Sequence, residues 1–457
     1  MQLAERKGTE LAEKLSSMHR ELDQWRAQSE RDQPLEKHHT QIRAIANTID
    51  ALTEAVEDRL QQTIGAGTVL ADAIALEVLT LEVHRVWHFF RSKLALRYVD
   101  WFRPYLLAAD ELAWSCYQPA QRWISDDAAR EPPLVFFNGG SSPFTMPRGV
   151  RYQAEEDPEG TLPSHEFTQA LRQLPVAVIG IPWFQIAHLP DAPVIAHEVG
   201  HDVEEDLRLT ASLLANVNAA LEKHEVAQDR RPAWRAWLGE IFADVYGTLA
   251  TGPAFVSSLI DFIAADASQV TSERLEGPNW GLYPTRSLRV LVGVATLRHR
   301  GLAEEGTELW DRWRSSYPDN AMAEFEPDTF VVVSGLLDGA YDELGGKALT
   351  SLVDFSAEES EVARRAADAF LRGRAPTTGN VRCLTAAARL AYDDKPEEFL
   401  RRGVPDRVLK KIAGAQKVGV RTRRGGAAPR EGARDDRDAE AGRRLFNLIV
   451  AAHEREQ

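Results

Sequence analysis

The sequence predicts an α+β chain that is predominantly α-helical, and two observations lead to that class. Apolar residues recur at helical spacing from Leu11 to Val56, from about Thr68 to Phe102, and again from Ser287 to near Ile412. Two short runs, Pro132 to Gly140 and Leu174 to Trp183, carry strand signals in the middle of the chain. Of the 457 residues, 44% are hydrophobic and 27% charged, enough for a large core and two or three domains.

The N-terminal elements read as a helical hairpin over residues 1–64. Leu11, Leu15, Met18, Leu22 and Trp25 alternate four-three along one face, and Ile42, Ile45, Ile49, Leu52 and Val56 repeat that seam after a polar break containing Pro34. Each arm is too short to stand alone, so the seam expects a cover, either this molecule's own body or a protein partner. After Gly65-Ala66-Gly67, the run from about Thr68 to Phe102 is apolar around much of its circumference, which places it in the centre of a domain, and Pro104 is expected to stop it. His84 and His88 lie four apart on it without a suitably placed carboxylate, and read as core or groove residues. A further helix, Ala108 to Ile124, leads to the first strand.

That strand ends in the turn Gly139-Gly140, and Asn138 to Gly149 and the acidic run Glu155 to Gly160 read as loops. The second strand has VAVIGIPW at its heart. If it forms the sheet's edge, its free backbone groups can take up an extended peptide by strand addition.

Chemistry concentrates in the next stretch, Pro193 to Val203. His197, Glu198 and His201 form an H-E-x-x-H pattern, which on a helix sets both imidazoles one turn apart on one face, where they can reach a single zinc ion. Glu198 is placed beside them to take a proton from a water acidified by the metal. Pro193 suits a first helical turn, and Asp191 just before it is expected to cap the helix or to face its N-terminal dipole. Gly200 costs a helix interior about 1 kcal/mol, which a close approach by another backbone or by the metal site would explain. A second stretch, Trp237 to Gly247, carries Glu240 and Asp244 one turn apart. Glu240 would complete a His-His-Glu set with a fourth position open, and Asp244 would hold a ligand histidine by its other ring nitrogen.

H-E-x-x-H followed some tens of residues later by E-x-x-A-D resembles the gluzincin branch of the zincin metallopeptidases, matching at His197, Glu198, His201, Glu240 and Asp244. Tyr283-Pro284-Thr285-Arg286-Ser287-Leu288-Arg289-Val290 is similar to the H-P-P-x-x-x-R-I stretch that follows the glutamate ligand in CAAX-protease and heat-shock-peptidase relatives, with Tyr283 in place of the histidine. The resemblance covers roughly residues 174–300. It implies a zincin-like catalytic core, over about 65–300, with a small sheet before the metal-binding helix and a Zn2+ cofactor. It also implies that Tyr283 polarises a scissile carbonyl and that Arg289 buttresses the site.

Beyond this core, Leu207 to Glu225 is expected to continue as one helix. Residues 301–412 read as a helical C-terminal region, and 413–457 as a flexible Arg/Gly-rich linker and terminal helix. The net charge of −15 argues against nucleic acid as a partner. Cys116 and Cys383 provide no disulfide framework, and the charged start Met1 to Lys7 has no signal-like apolar region, so a reducing, cytoplasmic setting is expected. The longest apolar pattern is interrupted by Asp72, Glu77, Glu82 and Arg85, so no membrane span is expected. The leading expectation is a zinc metallopeptidase that hydrolyses a peptide or protein substrate. Two others stand beside it: a regulatory protease that cuts one partner, like the ImmA/IrrE proteins, and a non-catalytic helical interaction protein with a vestigial metal site.

Overall fold

The computed structural model describes residues 2–124, 131–146, 176–185, 187–415 and 431–456, and within them the chain is mostly helical with one three-stranded sheet. Helices α1 (Leu3–Gln28) and α2 (His39–Ala66) form the hairpin that the two apolar seams foretell, and α2 ends where Gly67 turns left-handed at φ 70°. The long apolar run does not continue to Phe102. Helix α3 (Ala73–Ala95) stops after Ala95 and a 3-10 turn follows; α4 (Arg103–Tyr117) then starts with Pro104 in its first turn, where its missing N–H costs nothing.

Strands β1 (Leu134–Asn138), β2 (Phe144–Met146) and β3 (Val178–Pro182) pair in the order β1-β3-β2. The second strand run is therefore central and not the edge. β3 lies parallel to β1 and antiparallel to β2, a strand inside the stretch expected to be a loop. Asn138 makes that turn possible, its Oδ1 accepting from Gly140 N at 2.9 Å and its Nδ2 donating to the Ser142 carbonyl at 3.3 Å. Alternation then sends side chains to two cores. Leu134, Phe136 and Val178 pack among the apolar residues of α1, α2 and α3, whereas Val135, Phe137, Ile179 and Ile181 face the core around the H-E-x-x-H helix. The outer side of β1 is closed, because the Arg97 guanidinium donates to the Val135 carbonyl at 2.8 Å while gripping Asp110. Beyond β2 no strand follows among the described residues, so among them β2 is an edge strand.

Helix α5 (Ile195–Leu207) carries H-E-x-x-H. A 3-10 turn over Leu189–Val194 precedes it, so Pro193 sits before the helix, and Asp191 pairs with His188 at 3.0 Å instead of capping. The expected continuation past Leu207 breaks at Arg208, φ 57°, before α6 (Thr210–Lys223). Then come α7 (Arg231–Ala236), α8 (Leu238–Thr251), α9 (Pro253–Ile263), α10 (Ala267–Thr271) and α11 (Arg286–His299). The remaining helices are α12 (Ala303–Ser316), α13 (Glu326–Asp338), α14 (Ala357–Leu371), α15 (Val381–Asp394), α16 (Pro396–Arg401), α17 (Val404–Ala415) and α18 (Glu431–Glu456). One apolar core runs from Leu106 through α5 and α8 to Ile412, so α13 to α17 share the core of the H-E-x-x-H helix, while α9 and α12 build a core of their own around Phe255 and Trp313.

The terminal helix docks on its own chain. Leu445 and Ile449 of α18 are buried with the seam residues of α1 and α2, and Asp435 accepts from Arg43 and Asn47, each at 2.8 Å. Helix α18 begins at Glu431, inside the stretch expected to be a linker; residues 416–430 of that linker and the acidic run at 155–160 lie outside the described residues. No helix among the described residues is long and apolar enough to cross a membrane.

Candidate metal centre

Helices α5 and α8 lie side by side because α5 carries a glycine at the crossing. A Cβ on Gly200 would stand 3.1 Å from the Ala243 Cα and 3.0 Å from the Tyr246 Cβ, so no larger residue fits. This explains a helix-interior glycine, and it brings the two sequence motifs face to face.

His197 Nε2 and His201 Nε2 are 3.3 Å apart; Glu240 Oε2 is 3.4 Å from the first, and Glu240 Oε1 is 3.6 Å from the second. Four donors around one ion at ~2.0–2.1 Å have edges of about 3.3–3.4 Å in a tetrahedron. The three side chains thus hold three donors at close to that spacing, and these three residues are the one such group among the described residues. Glu240 Oε2 is buried without a well-formed hydrogen bond, an arrangement that costs free energy unless a cation takes it up. The donor set fits zinc in a site with one position left open.

Asp244 and Arg289 brace the cluster from behind. The Asp244 carboxylate is fully buried; its Oδ1 lies 2.9 Å from His197 Nδ1, and Arg289 donates from Nε to Oδ2 at 2.8 Å and from Nη2 to Oδ1 at 2.7 Å. With Nδ1 engaged in this way, the Nε2 of His197 is turned toward Glu240. Burial pushes the Asp244 carboxyl up, but Arg289 and His197 outweigh it and hold the carboxyl down at about 2. Burial pulls the His197 imidazolium down, yet Asp244 and Glu240 together raise it to about 10. His201 goes the other way, lowered by burial to about 4 against the pull of Glu240. Since Asp244 and Arg289 offset each other, the Glu240 carboxylate is the charge left for a cation.

Glu198 shares α5 with the two histidines and is 6% exposed; burial lifts its carboxyl to about 7, with the His197 imidazolium opposing. Tyr283 stands at the rim, half exposed, its ring 5.6 Å from Cζ of Arg289. His84 and His88 take no part: the first is half-buried on α3, lowered by that burial, and the second is exposed and 2.9 Å from Arg91.

Sequence reasoning missed Asp202, which follows His201 and is 1% exposed, and Thr145 in β2, whose Oγ1 lies 3.4 Å from Asp202 Oδ2. An acidic residue flanking a ligand histidine was the available signal, but a three-residue strand leaves too little alternation to announce itself. Comparison of the chain with protein-family models, with curated proteins and with solved structures finds no match.

Proposed function

We propose that the chain is a zinc-dependent peptidase built on a zincin-like core. The observation that supports this reading most is the meeting of His197 Nε2, His201 Nε2 and the Glu240 carboxylate, whose two oxygens stand 3.4 and 3.6 Å from the two imidazoles, beside the buried Glu198. A structural zinc site is usually closed by cysteines, whereas both cysteines here lie elsewhere, as free thiols. A zinc ion held there would supply Lewis acidity, lowering the pKa of a coordinated water and polarising a carbonyl.

The remaining work falls to the chain's own side chains. Glu198 is placed to accept a proton from the attacking water and to return it to the departing amine, the role of a general base turned acid. Asp244, fixed by Arg289, keeps His197 in one tautomer and one orientation. Tyr283 flanks Arg289 at the rim and is assigned to the substrate carbonyl. Among the described residues β2 is an edge strand, and its outer side suits an extended peptide, whose backbone would pair there irrespective of sequence. An apolar cavity lined by Phe137, Ile181, Val194 and Ile195 opens one turn before Glu198 and suits an apolar side chain of that peptide.

The reading of the chain as a non-catalytic interaction protein rests on the coiled-coil seams, which could be covered by the chain's own body or by a partner. Leu11, Leu15, Met18 and Leu22 are buried against the chain's own helices. Metal analysis of the wild type beside His201→Ala and Glu240→Ala tests the proposal: stoichiometric zinc lost in both variants supports it. A folded wild type that takes up no zinc refutes it.

A further inference from the structure

Among the described residues β2 is the sheet's edge strand on that side, and it is short, so its position needs more than one neighbour. β2 shares three register pairs with β3, namely Phe144 with Gly180, Thr145 with Ile179 and Met146 with Val178. A strand of that length, with one partner strand among the described residues, is weakly placed. Its two faces are held differently. Phe144 lays its ring over Gly180, where a Cβ would come within 2.8 Å of the ring's Cζ, and packs edge-on to Phe136 at 5.8 Å. On the opposite face, Thr145 Oγ1 stands 3.4 Å from the Val178 carbonyl and 3.4 Å from Oδ2 of Asp202.

Asp202 joins two things that a peptidase must keep in register. It belongs to α5, one residue after His201, and its carboxylate is buried where burial alone costs several kcal/mol. The contact with Thr145 therefore runs from the helix that carries both imidazoles to the middle residue of the edge strand. We infer that Asp202 is a positioning residue: through Thr145 it sets the height of the β2 edge over the His197, His201 and Glu240 donors, so that a peptide added to β2 carries its carbonyl to them. This inference rests on the peptidase reading and deepens it, since it makes backbone pairing at β2 part of substrate binding.

Two chelating probes of different reach test it on zinc-loaded full-length protein by calorimetry. Acetohydroxamic acid reaches only the metal, whereas a tripeptidyl hydroxamate with apolar side chains also offers a backbone to β2. The expected result is tighter binding of the longer probe by the wild type. Thr145→Val and Asp202→Asn should each weaken the longer probe about threefold to tenfold, the scale of one ordinary hydrogen bond, while acetohydroxamate binding and zinc content stay unchanged. Thr145→Val preserves a strand-forming side chain, so it carries the test if Asp202→Asn fails to fold. Variants that keep the full gain from length, a wild type that shows no such gain, or variants that lose both probes equally would each overturn the inference. A zinc-loaded wild type that binds neither probe points instead to failure of the peptidase reading itself.

Discussion

Gly200 meets Ala243 where the two helices that carry the candidate ligands cross, and a side chain at position 200 would stand 3.1 Å from the Ala243 Cα. The contact sets the separation of α5 and α8, and Glu240 sits one turn before Ala243. Gly200→Ala should lower stability by about 1–3 kcal/mol through overpacking, despite its better helix propensity, and should weaken zinc binding. Thermal unfolding and a zinc competition titration check this. An alanine variant with unchanged zinc affinity would mean that the crossing distance does not control the site.

Asp244→Asn keeps the shape of the side chain but leaves the buried Arg289 guanidinium without its counter-charge. A loss of about 3–5 kcal/mol is expected, because removing one partner strands the other charge. Zinc affinity should fall by roughly 10–100-fold as His197 loses its orientation. Chemical denaturation with and without zinc separates the two effects.

Glu198→Gln removes the proposed base and touches none of the three candidate donors. Hydrolysis of any cleaved peptide should fall by about 100-fold or more, with zinc content at the wild-type level. Near-normal turnover in that variant would take Glu198 out of the mechanism.

Burial pushes the thiols of Cys116 and Cys383 up to about 12, both being almost fully enclosed. A raised thiol pKa disfavours the thiolate, so at pH 8 only about one thiol in ten thousand is ionised. A chromogenic disulfide reagent should leave the native protein unlabelled and react with both cysteines after unfolding. Rapid labelling of the native chain would contradict the packing around α4 and α15.

Gly442 of α18 lies against α2, where a Cβ would come 2.9 Å from the Ala51 Cβ and 3.0 Å from the Leu52 amide nitrogen. Gly442→Val should therefore dislodge the terminal helix, exposing Leu445 and Ile449. Limited proteolysis should then release a C-terminal fragment that the wild type retains, with zinc content unaffected because the site lies in the other core.

How much of this was legible beforehand depended on range along the chain. His197 with His201, and Glu240 with Asp244, were readable because each pair obeys a local rule: residues four apart on a helix share a face. Seam residues such as Leu15 and Ile45 declared an apolar face for the same reason, but not its cover, which the docking of Leu445 and Ile449 supplies. Pro104 was read as a stop when it is a start, since one proline suits either boundary and only the neighbouring packing chooses.

By itself the amino-acid order determined the helical majority, the two pairs of candidate ligands and supports, and the apolar stripes, all of which follow from backbone periodicity. Tertiary structure alone decided that Val178–Pro182 is central and that Phe144–Met146 is an edge strand among the described residues, that α5 and α8 cross at Gly200, and that Asp202 reaches Thr145. The physical reason is that strand order and helix partners are settled by which distant surfaces exclude water together. Such choices leave no periodic trace in the segments that make them.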